Sequence, residues 1–225
     1  MLTLEKTVLP SPEQWEIIIE GMRNPMNSWD RMDSGTRMVI CDPEDLLPEY
    51  PEYEFHLGDN DHKLMTSLAK GGAVHAKYRR MIPVYLTLNA PLYWWKEFDT
   101  YKVGTVCNSC STMHKIHSKP FTIDDFSCDK LTEFNKRVML ADLITILNDC
   151  RDAYLKTKDK IWWWQMIQLL TTSYNQKRTV MLNYEVLVNI YHSRKNHKLD
   201  EWHTFCDWIE ALPYSELITG GDADV

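Results

Sequence analysis

The chain has 225 residues, with 25 Lys+Arg against 32 Asp+Glu, a formal net charge of -7, 44% apolar and 25% charged residues. No apolar run reaches the roughly 18 residues a membrane span needs, and the net acidity argues against a general nucleic-acid binder while leaving room for a local basic groove. Eight Gly beside 9 Trp and 11 Tyr argue against disorder. The first ten residues carry one lysine and no long apolar stretch, so no secretory leader is expected, and the six cysteines read as reduced thiols of a cytoplasmic protein.

The predicted elements begin with a helix after Ser11. Ser11 caps it, Pro12 suits its first position, Gln14 completes a capping box, and Trp15, Ile18, Ile19 and Met22 share one face until Asn24-Pro25. Residues 26–58 read as loop-rich, with one short strand over 37–41. Asp59 or Asn60 is expected to cap a second helix with Leu64, Met65, Leu68 and Ala69 inward, closed by Lys70-Gly71-Gly72. A strand over 81–88 puts Val84, Leu86 and Leu88 on one face, with Pro83 near its start or on an edge. Pro91 opens a helical segment over 92–102, crowded with Tyr93, Trp94, Trp95, Phe98 and Tyr101. Residues 103–121 show no period and form the most chemically loaded loop. Helices follow over 127–156 (broken once), 161–170, 180–191 and 200–211, then an acidic tail at 213–225. The apolar face of the first is Leu131, Phe134, Val138, Ala141, Leu143, Ile146 and Leu147. With no repeat and no linker, the reading is one α+β domain over 1–225, mostly helical with a small sheet. Its N-terminal part, 1–58, is loop-rich and its core is 60–212.

Several residue groups carry candidate chemistry. Cys107-x2-Cys110-x3-His114-x2-His117 has the ligand types of a zinc site. Its histidines stand closer than the about three to five intervening residues of a finger, so free thiols and no metal are the expected reading. The basic cluster His192, Arg194, Lys195, His197 and Lys198, with Lys177 and Arg178 upstream, suits a phosphate or a solvated helix end. Trp94-Trp95 and Trp162-Trp163-Trp164 fill a core or a subunit contact, or stack a flat ring. Adjacent helical positions lie about 100° apart, so three successive tryptophans cannot share one core, and at least one is expected to meet a partner chain or ligand. There is no Gly-rich phosphate loop, no Ser-centred nucleophile elbow and no His-Glu-x-x-His.

Lys70-Gly71-Gly72, His75, a strand ending in Ala90-Pro91-Leu92, and Asn108 and Ser111 in a polar loop come in one order. Asn183-x5-Asn189-x4-Arg194 and Asp200-Glu201-Trp202 follow. Together they resemble the flavin-dependent thymidylate synthase family over about residues 60–117 and 160–210. The resemblance implies an α+β fold, a homotetramer with active sites between subunits, and methylation of dUMP to dTMP with FAD, a folate carbon donor and NADPH. The departures are specific. The family's Arg-His-Arg signature falls on Thr100-Tyr101-Lys102, keeping one positive charge, and its serine falls on Cys110, or on Ser111 with a one-residue slip. Its Ser-Pro-x-Glu-His run falls on Gly71 to His75, where only the histidine is kept, and the arginine of its Ala-Arg-x-x-Leu-Pro run falls on Ile167.

By this resemblance the candidate catalytic residues are Cys110, Ser111 and Arg194. The candidate nucleotide contacts are Lys102, Asn108, Arg178 and Arg194, and the candidate cofactor contacts are His75, Asn183 and Asn189. A Cys110 thiol among arginines would have a lowered pKa and attack an electron-poor pyrimidine carbon; the alternative is an inert packed cysteine. The expected function is a thymidylate-synthase-like protein that binds a dUMP-like nucleotide at a subunit interface, with methyl transfer as its possible activity. The alternatives are a catalytically inactive nucleotide-binding or sequestering protein of the same fold, and a zinc-stabilised interaction protein. A homo-oligomer is expected, with no membrane and no general nucleic-acid partner.

Overall fold

The fold is seen in a computed structural model, which describes residues 1–39 and 52–220. The elements are β1 (Thr3–Val8), α1 (Pro12–Arg23), β2 (Gly35–Val39), β3 (Glu52–His56), α2 (Asp59–Lys70), β4 (Pro83–Pro91), α3 (Leu92–Phe98) and β5 (Val106–Ser109). They continue with a π-helical turn (Asn135–Leu140) leading into α4 (Ala141–Thr157), then α5 (Lys160–Leu169), β6 (Asn175–Asn183), α6 (Tyr184–Arg194), α7 (Asp200–Glu210) and α8 (Glu216–Thr219). This is an α+β chain with a four-stranded sheet in the order β1-β4-β6-β5 and an antiparallel β2-β3 pair in which Arg37 faces Glu54. No described helix is long and apolar enough to cross a membrane.

The chain forms two compact units. The first holds residues 1–6, 86–102 and 106–180. One core of this unit gathers Ile116, Phe121, Phe126, Leu140, Leu147, Cys150 and Met166, with Trp163 and Tyr174 packed on it. Tyr174 meets Phe126 edge-on at 5.6 Å. Trp94 and Trp95 are both fully buried, so that pair is core. Such side chains remove the most apolar area from water and dominate burial energetics.

The second unit holds residues 7–85, 103–105 and 181–225. In it α1 forms as expected: Ser11 Oγ accepts from the Gln14 backbone N–H at 3.3 Å, and Gln14 Oε1 accepts from the Ser11 N–H at 2.8 Å. Trp15 stacks on Phe55 at 5.4 Å and meets Tyr184 and Tyr214 edge-on. The helix ends in Arg23, 3% exposed, whose Nε donates to Asp61 Oδ1 at 2.5 Å. Asp61 Oδ2 also accepts from the N–H groups of Asp33 and Ser34 and from Ser34 Oγ. In return Asp33 accepts from the Asn60 and Asp61 N–H groups. The cap of α2 therefore comes from a residue far back in the chain, and not from Asp59 or Asn60. The N-cap position is Gly58, where a Cβ would lie 2.5 Å from the Asp33 carbonyl carbon.

Other sequence expectations are corrected. The strand expected over 37–41 is β2, Gly35–Val39, and Cys41 lies outside the described residues. The loop-rich stretch 26–58 also holds β3, and the loop 103–121 holds β5. The helix expected from Val180 begins at Tyr184. Residues 180–183 end β6, where Gln176, Val180 and Leu182 are buried in alternation, the period of a strand. The expected inner face Leu131, Phe134, Val138 and Ile146 points outward: these residues are 40%, 69%, 39% and 47% exposed. The π turn explains part of this, because its wider winding rotates the preceding residues off the face that Leu140 and Leu147 bury.

Two measurements check this account. Asp61→Ala leaves the Arg23 guanidinium buried without its counter-charge and is expected to cost roughly 3–5 kcal/mol in urea denaturation; an unchanged midpoint contradicts the role given to this pair. Burial pushes the Tyr78 phenol up to about 12, and its hydroxyl donates to the Met65 carbonyl at 2.8 Å. A folded-state pKa above the unfolded value near 10 means full stability below about pH 10 and loss as pH rises towards 12. Tyr78→Phe is expected to make that alkaline fall in the urea midpoint shallower, and an identical slope contradicts it.

Candidate functional site

The sequence-predicted site residues divide between the units. Lys102, Asn108, Cys110, Ser111 and Arg178 belong to the first; His75, Asn183, Asn189 and Arg194 belong to the second.

In the first unit, Arg178 organises the polar geometry. It sits on β6 two residues after Gln176, so strand alternation puts both side chains on one face. Trp95, on α3, donates its Nε1–H to the Gln176 carbonyl at 2.8 Å. The α3 backbone is itself tied down, Leu92 N–H donating to the Tyr174 carbonyl and Tyr93 N–H to that of Thr172. The Trp95 ring forms a platform, and the Arg178 guanidinium lies 4.2 Å from its centroid. Arg178 Nε donates to Gln176 Oε1 at 2.9 Å and Nη1 to Asp99 Oδ1 at 2.7 Å. Its Nη1 also stands 3.7 Å from Cys107 Sγ. A stacked, forked guanidinium held this way is preorganised for a flat anion or a phosphate oxygen.

Cys110 is exposed and is pinned by its backbone: its N–H donates to the Lys177 carbonyl at 2.9 Å and its carbonyl accepts from Gln176 Nε2 at 2.8 Å. The thiol within reach of Arg178 is that of Cys107. Ser111 Oγ accepts from the His114 N–H at 2.8 Å and the Met113 N–H at 3.3 Å, capping the turn while leaving its own hydroxyl hydrogen to donate. Asn108, on β5, and Lys102 are exposed. Lys177, read with the basic cluster, pairs with Glu5. No three His, Cys, Asp or Glu side chains converge to hold a metal ion among the described residues, and His117 meets the Tyr154 ring edge-on at 4.9 Å.

In the second unit, Asn183 is the N-cap of α6, its Oδ1 accepting from the Val186 N–H at 3.0 Å. Its amide faces Gly104, where an added Cβ would lie 3.0 Å from Asn183 Nδ2 and 3.1 Å from Val186 Cγ2. Asn189 is exposed on α6, and Arg194 lies over the Trp202 ring at 4.8 Å. His75 is exposed, its ring against Gly71.

The sequence gives no sign of Asp99, Gln176 or the pair of buried Arg79 with Glu185, whose Nη1 and Oε2 stand 3.9 Å apart. Reading 175–183 as a strand would have placed Gln176 beside Arg178. The Arg79–Glu185 pair joins positions distant in the chain and leaves no local signal.

Gly104 and Gly72 both have positive φ, +78° and +82°, but nothing lies within 4 Å of a Cβ at Gly72. Gly104→Ala is expected to cost more than Gly72→Ala in thermal unfolding, by at least about 1 kcal/mol; equal losses contradict the close approach to Asn183.

No family sequence model matches the chain, and no curated protein matches it by sequence. Solved structures do. Flavin-dependent thymidylate synthase ThyX from Helicobacter pylori, complexed with FAD and dUMP, matches with a TM-score of 0.59 at 15% identity, over 97% of this chain and 96% of that one. A second structure of ThyX from the same organism, with FAD and dUMP, matches with a TM-score of 0.59 at 14% identity over the same shares. At this identity the likeness establishes the fold: the chain is built like a flavin-dependent thymidylate synthase across nearly its whole length.

Proposed function

We propose that the protein binds a pyrimidine nucleotide of the dUMP type at a contact between copies of the chain in the cytoplasm, and that it has kept the fold without the redox step. The observation that carries this reading is the match over 97% of the chain to proteins whose structures hold FAD and dUMP. The residues of the first unit suit a nucleotide. Arg178 offers a preorganised guanidinium whose Nη2 has no partner among the described residues, with Lys102 as the remaining charge of the Arg-His-Arg position. Asn108 and the Ser111 hydroxyl offer neutral hydrogen bonds to a base edge. Asn189 and Arg194, on α6 of a neighbouring copy, would complete the seat.

The fit to a flavin is poorer. Asn183 is committed to capping α6 and to the approach of Gly104, which leaves exposed His75 and Asn189 as the remaining cofactor candidates. Two of the three charges of the Arg-His-Arg position are gone, replaced by Thr100 and Tyr101. A second reading, methyl transfer to dUMP with FAD, NADPH and a folate, rests on the FAD held by both solved neighbours. In it Cys110, Ser111 and Arg194 are the groups at the reacting end.

The visible absorbance spectrum after FAD addition and desalting separates the two readings, since the flavin would carry the redox chemistry. The expected result is no retained flavin band, together with a saturable change in tryptophan fluorescence on titrating dUMP, reported by Trp95 beneath Arg178. Arg178→Ala is expected to weaken dUMP binding about 10- to 100-fold, the range of a lost charged hydrogen bond. A retained band makes methyl transfer the primary reading, and no fluorescence response with either ligand overturns nucleotide binding.

A further inference from the structure

A guanidinium offers two edges for a two-bond contact with an oxyanion: Nε with Nη2, and Nη1 with Nη2. Both edges of Arg178 are half occupied. Gln176 Oε1 accepts from Nε at 2.9 Å, and Asp99 Oδ1 accepts from Nη1 at 2.7 Å. Nη1 also stands 3.7 Å from Cys107 Sγ, but a thiol sulfur is a weak acceptor. A phosphate that takes two bonds from Arg178 must therefore replace either Gln176 or Asp99.

Of the two acceptors, Asp99 is the one that can yield. Gln176 is 6% exposed, and its Nε2 is committed to the Cys110 carbonyl at 2.8 Å. The Asp99 side chain is 50% exposed, against 13% for that of Arg178. Asp99 is also the C-cap of α3, where the helix dipole disfavours a negative charge. Its backbone is fixed, the N–H donating to the Trp95 carbonyl at 2.8 Å, so the carboxylate moves by rotating its own side chain.

We infer that the Asp99 carboxylate is an internal stand-in for the ligand phosphate: it occupies the Nη1 position on Arg178, and the phosphate binds by displacing it. Displacement presupposes the nucleotide seat proposed above and adds to it a residue that sets affinity by opposing the ligand. Trp95 and Gln176 hold the guanidinium in place while the acid swings into water. An ion pair exposed on one side is weak, so the opposition tunes affinity and does not abolish it. If Asp99 instead aimed Arg178 and stayed bound, its removal would weaken binding. Arg178 is already aimed by the indole beneath it and by Gln176, which favours displacement.

Isothermal titration calorimetry of the full chain with dUMP, and with inorganic phosphate as the bare anion, tests this, with far-ultraviolet circular dichroism as the folding control. Asp99→Asn, which keeps the size of the side chain, and Asp99→Ala are expected to bind dUMP about two- to fivefold more tightly than the wild type. In an Arg178→Ala background Asp99→Asn is expected to bring no gain, because the competition is for Arg178. A gain of the same size without Arg178 is general charge repulsion and overturns the inference. Unchanged or weaker binding by Asp99→Asn also overturns it, and in both cases dUMP binding itself stands. No heat from dUMP or phosphate with the wild type and the Asp99 variants alike overturns the nucleotide reading, and displacement with it.

Discussion

A positive charge on a sheet strand must be satisfied without open water, and the polar architecture of the first unit follows from how Arg178 meets that demand. Its side chain is 13% exposed and lies on the face of Trp95. Stacking on an indole contributes about 1–2 kcal/mol for a desolvated cation, and Gln176 and Asp99 accept from its Nε and Nη1. The same residues then hold the neighbourhood in place. Trp95 is fixed by the Gln176 carbonyl, Gln176 reaches the Cys110 carbonyl, and the Cys110 N–H reaches the Lys177 carbonyl. Gln176 and Lys177 on β6 thus tie down both α3 and the Cys110 backbone, and Arg178 adds its own bonds to Gln176 and Asp99.

The second unit solves a related problem with opposite charges. Arg23 and Asp61 are buried together, and every Asp61 lone pair with a described partner faces a donor from α1 or the 33–34 turn. Such a pair adds little net stability over an apolar one but is costly to break. It also leaves Asp33 free to cap α2. Asn183 shows how a residue that resembles a family contact can be held by the fold: its carbonyl caps α6 and its amide stands over Gly104. That commitment separates the nucleotide reading, which does not need Asn183, from the flavin reading, which does.

The parts legible in the sequence are those written in local chemistry. The capping box of α1, the alternation of Val84, Leu86 and Leu88, and the α+β class all lie within a few residues of their cause. The end of β6 is not legible in the sequence because Val180, Met181 and Leu182 suit either a buried helix or a strand, and only the neighbouring strands decide. Arg23 with Asp61, and Arg79 with Glu185, join residues far apart in the chain, so no window of sequence contains them. Apolar residues at helical spacing usually face a core, which predicts Phe134 and Val138 inward, whereas both are exposed in the fold. Of the candidate site, the residue types around Cys110 and Arg178 were legible, but Asp99, which neutralises Arg178, was not.

The proposed seat for a nucleotide phosphate at Arg178 can be probed by isothermal titration calorimetry with dUMP and with deoxyuridine, which lacks the phosphate. A phosphate seat gives saturable heat with dUMP that weakens as salt rises, and affinity at least tenfold lower for deoxyuridine. Equal affinity for the two, or no heat from dUMP, would contradict it.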